Sequence, residues 1–173
     1  MNKNSLFHFV IALLAMLVIS CSNSSELRFM GKSLSVSCEE FEKHLETKGF
    51  KHDSGQTYKG KYLGEEVSIL LEKENNGHYT QLTLMLVSDP KTCTKYYRKV
   101  CQEIEKEHSG FKQKEKEKDE ELSYTQQSTG ENINIPINNQ KTEFYNKEGK
   151  EISISCYNAA ILATVMAIFE MDD

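Results

Sequence analysis

Two short stretches of this chain recur in the same order, and that order limits the folds open to it. Lys48-Gly49-Phe50-Lys51 is matched by Ser109-Gly110-Phe111-Lys112, each closing a helical pattern. Gly64-Glu65-Glu66-Val67-Ser68-Ile69 is matched by Gly149-Lys150-Glu151-Ile152-Ser153-Ile154, each opening an alternating apolar run. Helix, Gly-Phe, then hairpin, twice over, predicts a tandem duplicated α-β-β-β unit. The fold class is then α+β, with helices packed on an antiparallel sheet. The second pair is spaced about 24 residues wider than the first, which places an insertion between about Gln113 and Lys141. The two units divide residues 27–173 at about 88, as halves of a single domain.

The elements follow from local chemistry. Ser37-Cys38-Glu39-Glu40 is a capping box, and Cys38, Phe41 and Leu45 share one helical face. Gly49 suits a left-handed residue just past the helix end. Three strands are expected next. Gln56 to Tyr62 alternates, with Tyr58 and Tyr62 opposite Lys59 and Lys61. Val67, Ile69 and Leu71 form the second strand, and Leu82, Leu84 and Leu86 the third, across an Asn75-Asn76-Gly77 turn. Asp89-Pro90 then opens a second helix, with Cys93, Tyr96, Tyr97, Val100, Cys101 and Ile104 on its apolar side. Asn158 to Met171 is apolar on both alternations, and the repeat makes it a central strand, a helix being the alternative.

The first twenty residues set the address. Lys3 is followed by an apolar run from Phe9 to Ile19, too short to span a bilayer but suited to a secretory signal. Val18-Ile19-Ser20-Cys21 resembles the lipobox of bacterial lipoproteins. That resemblance implies cleavage after residue 20, acyl chains on Cys21, and a short tether over residues 21–26. Several chains anchor a protein firmly where one does not. Many such lipoproteins carry aspartate after the cysteine when retained at the inner membrane, so with Ser22 there the resemblance implies the outer membrane of a bacterial cell envelope.

Without Lys3 the formal charge moves from −5 to about −6. An acidic chain with scattered lysines argues against nucleic acid as a partner. Cys38, Cys93, Cys101 and Cys156 are an even number in an exported chain, which fits two disulfides in any of three pairings. Cys101–Cys156 with Cys38–Cys93 is the first choice, because Cys101 and Cys156 lie on predicted core faces. Four buried thiols are the alternative. No Cys-x-x-Cys, His-Glu-x-x-His, phosphate loop or nucleophile elbow occurs, and His44, His52, His78 and His108 lie at no metal-ligand spacing. The expectation is a non-catalytic protein without metal or cofactor.

Tyrosine offers contact area with few rotors, so Tyr58, Tyr62, Tyr124 and Tyr145 are the candidate binding surface. In a strand, Lys112, Lys114, Lys116 and Lys118 would line one face and Gln113, Glu115, Glu117 and Asp119 the other. That is a solvated edge protected by charge, a basic ribbon for an anionic partner being the alternative. Ser123 to Gln140 reads as a long hairpin. Two functions remain: a lipid-anchored module that binds an envelope protein, or a small-ligand or glycan-binding lipoprotein.

Phe29-Met30-Gly31, Gly49-Phe50 and Lys61-Tyr62-Leu63-Gly64 resemble small envelope lipoproteins of the Bacteroidetes, which implies export and carries no assigned activity. The doubled helix-plus-sheet order is similar in outline to the β-lactamase-inhibitor-protein architecture, a likeness of topology that implies no inhibition.

Overall fold

The computed structural model describes residues 26–73, 77–125, 132–158 and 162–171, with backbone alone for 117–125 and 132–137. The signal segment 1–20, Cys21 and residues 22–25 of the tether lie outside the described residues, as do Asn75 and Asn76.

Ser37 caps helix α1 (Cys38–Thr47) by accepting the Glu40 N–H. Gly49, at φ 88°, ends it as expected. Phe50 N–H then reaches Leu45 O at 3.0 Å and Gly49 N–H reaches Glu46 O at 2.9 Å, the paired bonds of a Schellman motif. Asp89 caps helix α2 (Pro90–Glu107), accepting from the N–H groups of Lys91 and Thr92, both at 3.0 Å. The two Gly-Phe ends differ in conformation. α2 stops at His108, and Gly110 lacks the positive φ of Gly49.

The first strands among the described residues are a two-residue pair, β1 (Arg28–Phe29) and β2 (Lys32–Ser33), joined by Met30 and Gly31 at positive φ. Four strands follow α1: β3 (Lys51–Ser54), β4 (Thr57–Tyr62), β5 (Glu65–Lys73) and β6 (Tyr79–Ser88). Four more follow α2: β7 (Lys112–Thr125), β8 (Asn132–Tyr145), β9 (Glu151–Asn158) and β10 (Ala163–Glu170). Sequence alternation predicts three strands per unit. The extra strand of the first half, β3, is wholly exposed and held by backbone pairing to β4, so it leaves no apolar pattern.

All eight strands form one antiparallel sheet in the order β3-β4-β5-β6-β10-β9-β8-β7. β10 is therefore the central strand its two apolar alternations require, paired to β6 from Ala163↔Ser88 to Glu170↔Gln81. Both helices and the β1–β2 pair cover one side. Tyr58, Ile69, Leu84, Val165, Ala167, Ile154 and Phe144 on that side join Phe41, Leu45, Tyr96 and Ile104 in one apolar core. Phe29 anchors the first pair into it, its ring 5.1 Å from Tyr62 and 5.7 Å from Phe169.

Candidate functional site

The other side of the sheet carries no second layer among the described residues. Alternation puts the partner set of each strand there, and the register aligns them in rows. One row runs Lys59, Ser68, Met85, Met166, Ser155, Lys141, Lys116. The next holds Leu70, Thr83, Ile168, Ser153, Glu143 and Lys114. An apolar strip thus crosses the middle strands. Leu70 at 42% exposed, Met85 at 39% and Val87 at 52% face water on it, with Leu162 continuing the open alternation of β10. A sheet face solvated on one side normally alternates to polar residues. Large apolar side chains at its centre are the informative exception.

Lysines flank the strip. Lys59 and Lys61 stand on β4, paired with Asp53 at 2.9 Å and Glu66 at 3.5 Å. On the far flank Lys112, Lys114 and Lys116 are exposed on β7 beside Lys141 of β8. Glu143 sits among them, taking Lys116 Nζ and Lys141 Nζ, each at 2.9 Å. Hydrogen bonds from Lys116 and Lys141 hold its carboxyl down at about 2. The alternation read for Lys112 to Lys118 is the one β7 adopts, with Lys118 at the position opposite Asn139.

The tyrosine surface needs correction. Tyr58 and Tyr62 do share a face opposite Lys59 and Lys61, but it is the covered one, and they are only 4% and 5% exposed. The ring of Tyr58 packs on His52 at 5.3 Å, and burial beside Glu42 raises its hydroxyl to about 12. Neither can act as a stacking platform. Tyr145, 38% exposed, lies on the open face. Tyr124 pairs with Ile133 in the ribbon, and its side chain lies outside the described residues.

Cys38, Cys93, Cys101 and Cys156 are free thiols. The Cys38–Cys93 pairing is excluded by position. Cys38 N–H bonds Gly77 O just before β6, whereas Cys93 sits against Ser88 at the far end of that strand. Ten residues of strand separate these points by roughly 30 Å, far beyond disulfide reach. Cys156 instead neighbours both Cys93 and Cys101. Burial raises the thiols of Cys101 and Cys156 to about 11, so both are protonated and poor nucleophiles at neutral pH.

Among the described residues, three cavities that open to solvent bear on the site. One of about 380 Å³ lies between α2 and β7–β8, lined by Tyr97, Arg98, Cys101, Glu115 and Thr142. One of about 690 Å³ lies at the β3–β4 edge beside His52, Asp53 and Lys59. One of about 500 Å³ lies where Met30, Leu63 and Tyr62 meet Glu103 and Glu107. None is an enclosed apolar chamber with converging polar groups of the kind that holds a small ligand. Among the described residues no three of His, Cys, Asp and Glu are placed to hold a metal, and no helix is long and apolar enough to cross a membrane.

No family model matches this chain, and neither a curated protein nor a solved structure matches it.

Proposed function

We propose that this chain is an exported, lipid-anchored protein of a bacterial cell envelope that acts as a non-catalytic interaction module. The observation that carries the reading is the uncovered sheet face, with an apolar strip across its centre and charged flanks. A stable protein–protein contact calls for this anatomy, an apolar centre inside a polar rim. The open form of the three cavities and the protonated state of the buried thiols weigh against an enzyme.

The address rests on the signal-like segment and the lipobox resemblance at Cys21. Residues 22–25 leave little slack before Leu27 enters the core, so the domain would ride close to the bilayer, in the outer membrane on the Ser22 reading. A tandem duplication is supported by the order of the fold. Each helix precedes four antiparallel strands, and the two sets meet through their last members, β6 and β10. In an oxidising compartment, Cys156 would pair with Cys101 or Cys93.

Affinity capture of the full-length protein from crosslinked native envelopes tests the reading. The expected result is one stoichiometric protein partner. Clean recovery without a partner, together with saturable binding of a sugar or small metabolite by the soluble domain, would establish the ligand-binding alternative.

A further inference from the structure

We propose that the open face, extended by the β7–β8 ribbon, docks a protein whose contact patch is apolar at its centre and carries carboxylates where it meets the β7–β8 flank. This rests on the interaction-module reading and names the partner's chemistry. β7 and β8 pair for fourteen residues each, but β8 pairs with β9 only from Asn138 onward. The remainder projects past the body of the sheet as a two-stranded ribbon, roughly 20 Å long at 3.3 Å per residue. Its register places Leu122 opposite Ile135 and Tyr124 opposite Ile133, at positions that continue the alternation of Lys114, Lys116 and Lys141. The apolar strip of the sheet and the apolar positions of the ribbon therefore belong to one continuous face, with the β7 lysines between them.

Charge selects the occupant. The chain is acidic overall, yet on this flank Lys112, Lys114, Lys116 and Lys141 outnumber the carboxylates Glu143 and Glu151. Lys59 and Lys61 on the other are instead paired with Asp53 and Glu66, and Glu72 and Glu170 extend the row of Glu151. A second copy fits poorly. Stacking two such faces about a two-fold axis along the strands lays the acidic row Glu72, Glu170 and Glu151 over itself, and an axis across the strands sets the β7 lysines over each other. Like charges opposed across an interface disfavour the pairing. Position argues against the protein's own bilayer. Arg28 docks at His108, at the C-terminal end of α2, and β7 starts from that end and runs its fourteen residues away from it. An anchor on Cys21 would thus hold the membrane near the end opposite the ribbon tip. A partner protein with carboxylates facing the β7–β8 flank satisfies both observations.

The test is photo-crosslinking of the full-length anchored protein in native envelopes, with a benzophenone amino acid at Met85 or Val87 and, as a control, at Lys95 on the outer side of α2. The expected result is one protein adduct from Met85 and Val87, none from Lys95, with mapped partner peptides rich in Asp and Glu. Its yield should fall at least roughly tenfold in a Lys114→Glu, Lys116→Glu variant, as attraction turns to repulsion, and should also fall with added salt. An adduct of twice the chain mass, or one to lipid, would overturn the proposal in favour of a second copy or a membrane. An adduct from Lys95 alone would overturn the face and leave the module reading standing. An adduct from Met85 or Val87 that lysine reversal leaves unchanged would overturn the partner's carboxylates alone. No adduct at any position would count against the module reading itself.

Discussion

On the helix side of β4, Tyr58, Gly60 and Tyr62 follow one another, and the missing side chain of Gly60 is where Phe50 lies. A Cβ at Gly60 would stand 2.7 Å from Phe50 Cδ1 and 3.0 Å from its Cα. Gly60→Ala should therefore destabilise the fold by about 1–3 kcal/mol, the usual cost of overpacking, read as a lower urea midpoint. Two buried tyrosines offer the opposite contrast. The Tyr62 hydroxyl is buried with no hydrogen-bond partner, whereas Tyr97 Oη lies 2.6 Å from Thr142 Oγ1. An unsatisfied buried polar group is a burden, and a satisfied one contributes about 1 kcal/mol. Tyr62→Phe should leave the midpoint unchanged or raised, and Tyr97→Phe should lower it by about that amount. A loss on Tyr62→Phe matching that on Tyr97→Phe would show that the hydroxyl has a partner after all.

At the scale of elements, the end of α2 carries a pH-sensitive joint. His108 is buried, its Nε2 accepts the Arg28 N–H at 3.0 Å, and its Nδ1–H donates to Ile104 O at 3.2 Å. Both ring nitrogens are used in the neutral form, and protonation would set an N–H against the Arg28 N–H. Burial lowers the pKa of His108, with the Arg28 charge adding to it. The unfolded chain takes up this proton near pH 6.5 and the folded chain does not. Stability should therefore fall as pH drops through 6.5, until the lowered folded pKa is reached. Glu107 beside it is raised by burial and shifts stability in the opposite sense at lower pH, so the comparison that isolates the histidine is wild type against His108→Gln. The difference in urea midpoint between them should change from pH 7 to pH 5, wild type losing more. A constant difference would show that His108 does not titrate differently on folding. The β7–β8 ribbon gives a second expectation. Replacing residues 120–137 with Asn-Gly removes pairing that only the ribbon itself uses, so circular dichroism and the midpoint should stay close to wild type.

These elements also show how far the residues speak for themselves. Ser37 and Asp89-Pro90 announce their helices because capping is local chemistry. β10 is legible because a strand apolar on both alternations has to lie inside a sheet. The long hairpin is legible from the polar excursion between two alternating runs. The alternation of Tyr58 and Tyr62 against Lys59 and Lys61 is equally plain, but alternation says which residues share a face and not which face the helices cover. That choice belongs to tertiary packing, so Tyr58 and Tyr62 lie in the core, while Tyr145 stays on the open face. The apolar strip of the open face is hidden from the sequence for the same reason. Leu70, Met85 and Val87 look like ordinary strand residues until the register sets them side by side. β3 leaves no signal, since Lys51-His52-Asp53-Ser54 is exposed throughout. Cys38 and Cys93 both sit at helix starts, but those starts lie at opposite ends of β6, a fact of topology that spacing does not contain.

At the scale of the whole molecule, α2 decides how the two halves depend on each other. It follows β6 in sequence and packs on β6, β9 and β10, across the joint between the halves. Tyr96, Val100 and Ile104 of this helix share one buried cluster with Leu82, Leu84 and Leu86 on one side and Ile154, Cys156 and Val165 on the other. Residues 27–88 alone would keep α1 but lose the cover over β6, and would expose its unpaired edge as a template for association. The first half should therefore fail to fold alone, and the intact chain should unfold in one transition. The measurement is urea unfolding followed by far-ultraviolet circular dichroism for the backbone and by tyrosine fluorescence for the buried rings. Coincident curves are expected, since one core melts as a unit. Separated curves, or a dispersed, cooperatively melting spectrum from 27–88 alone, would mean that β6 and β10 join two independently stable units, and the open face would then be a surface shared between them.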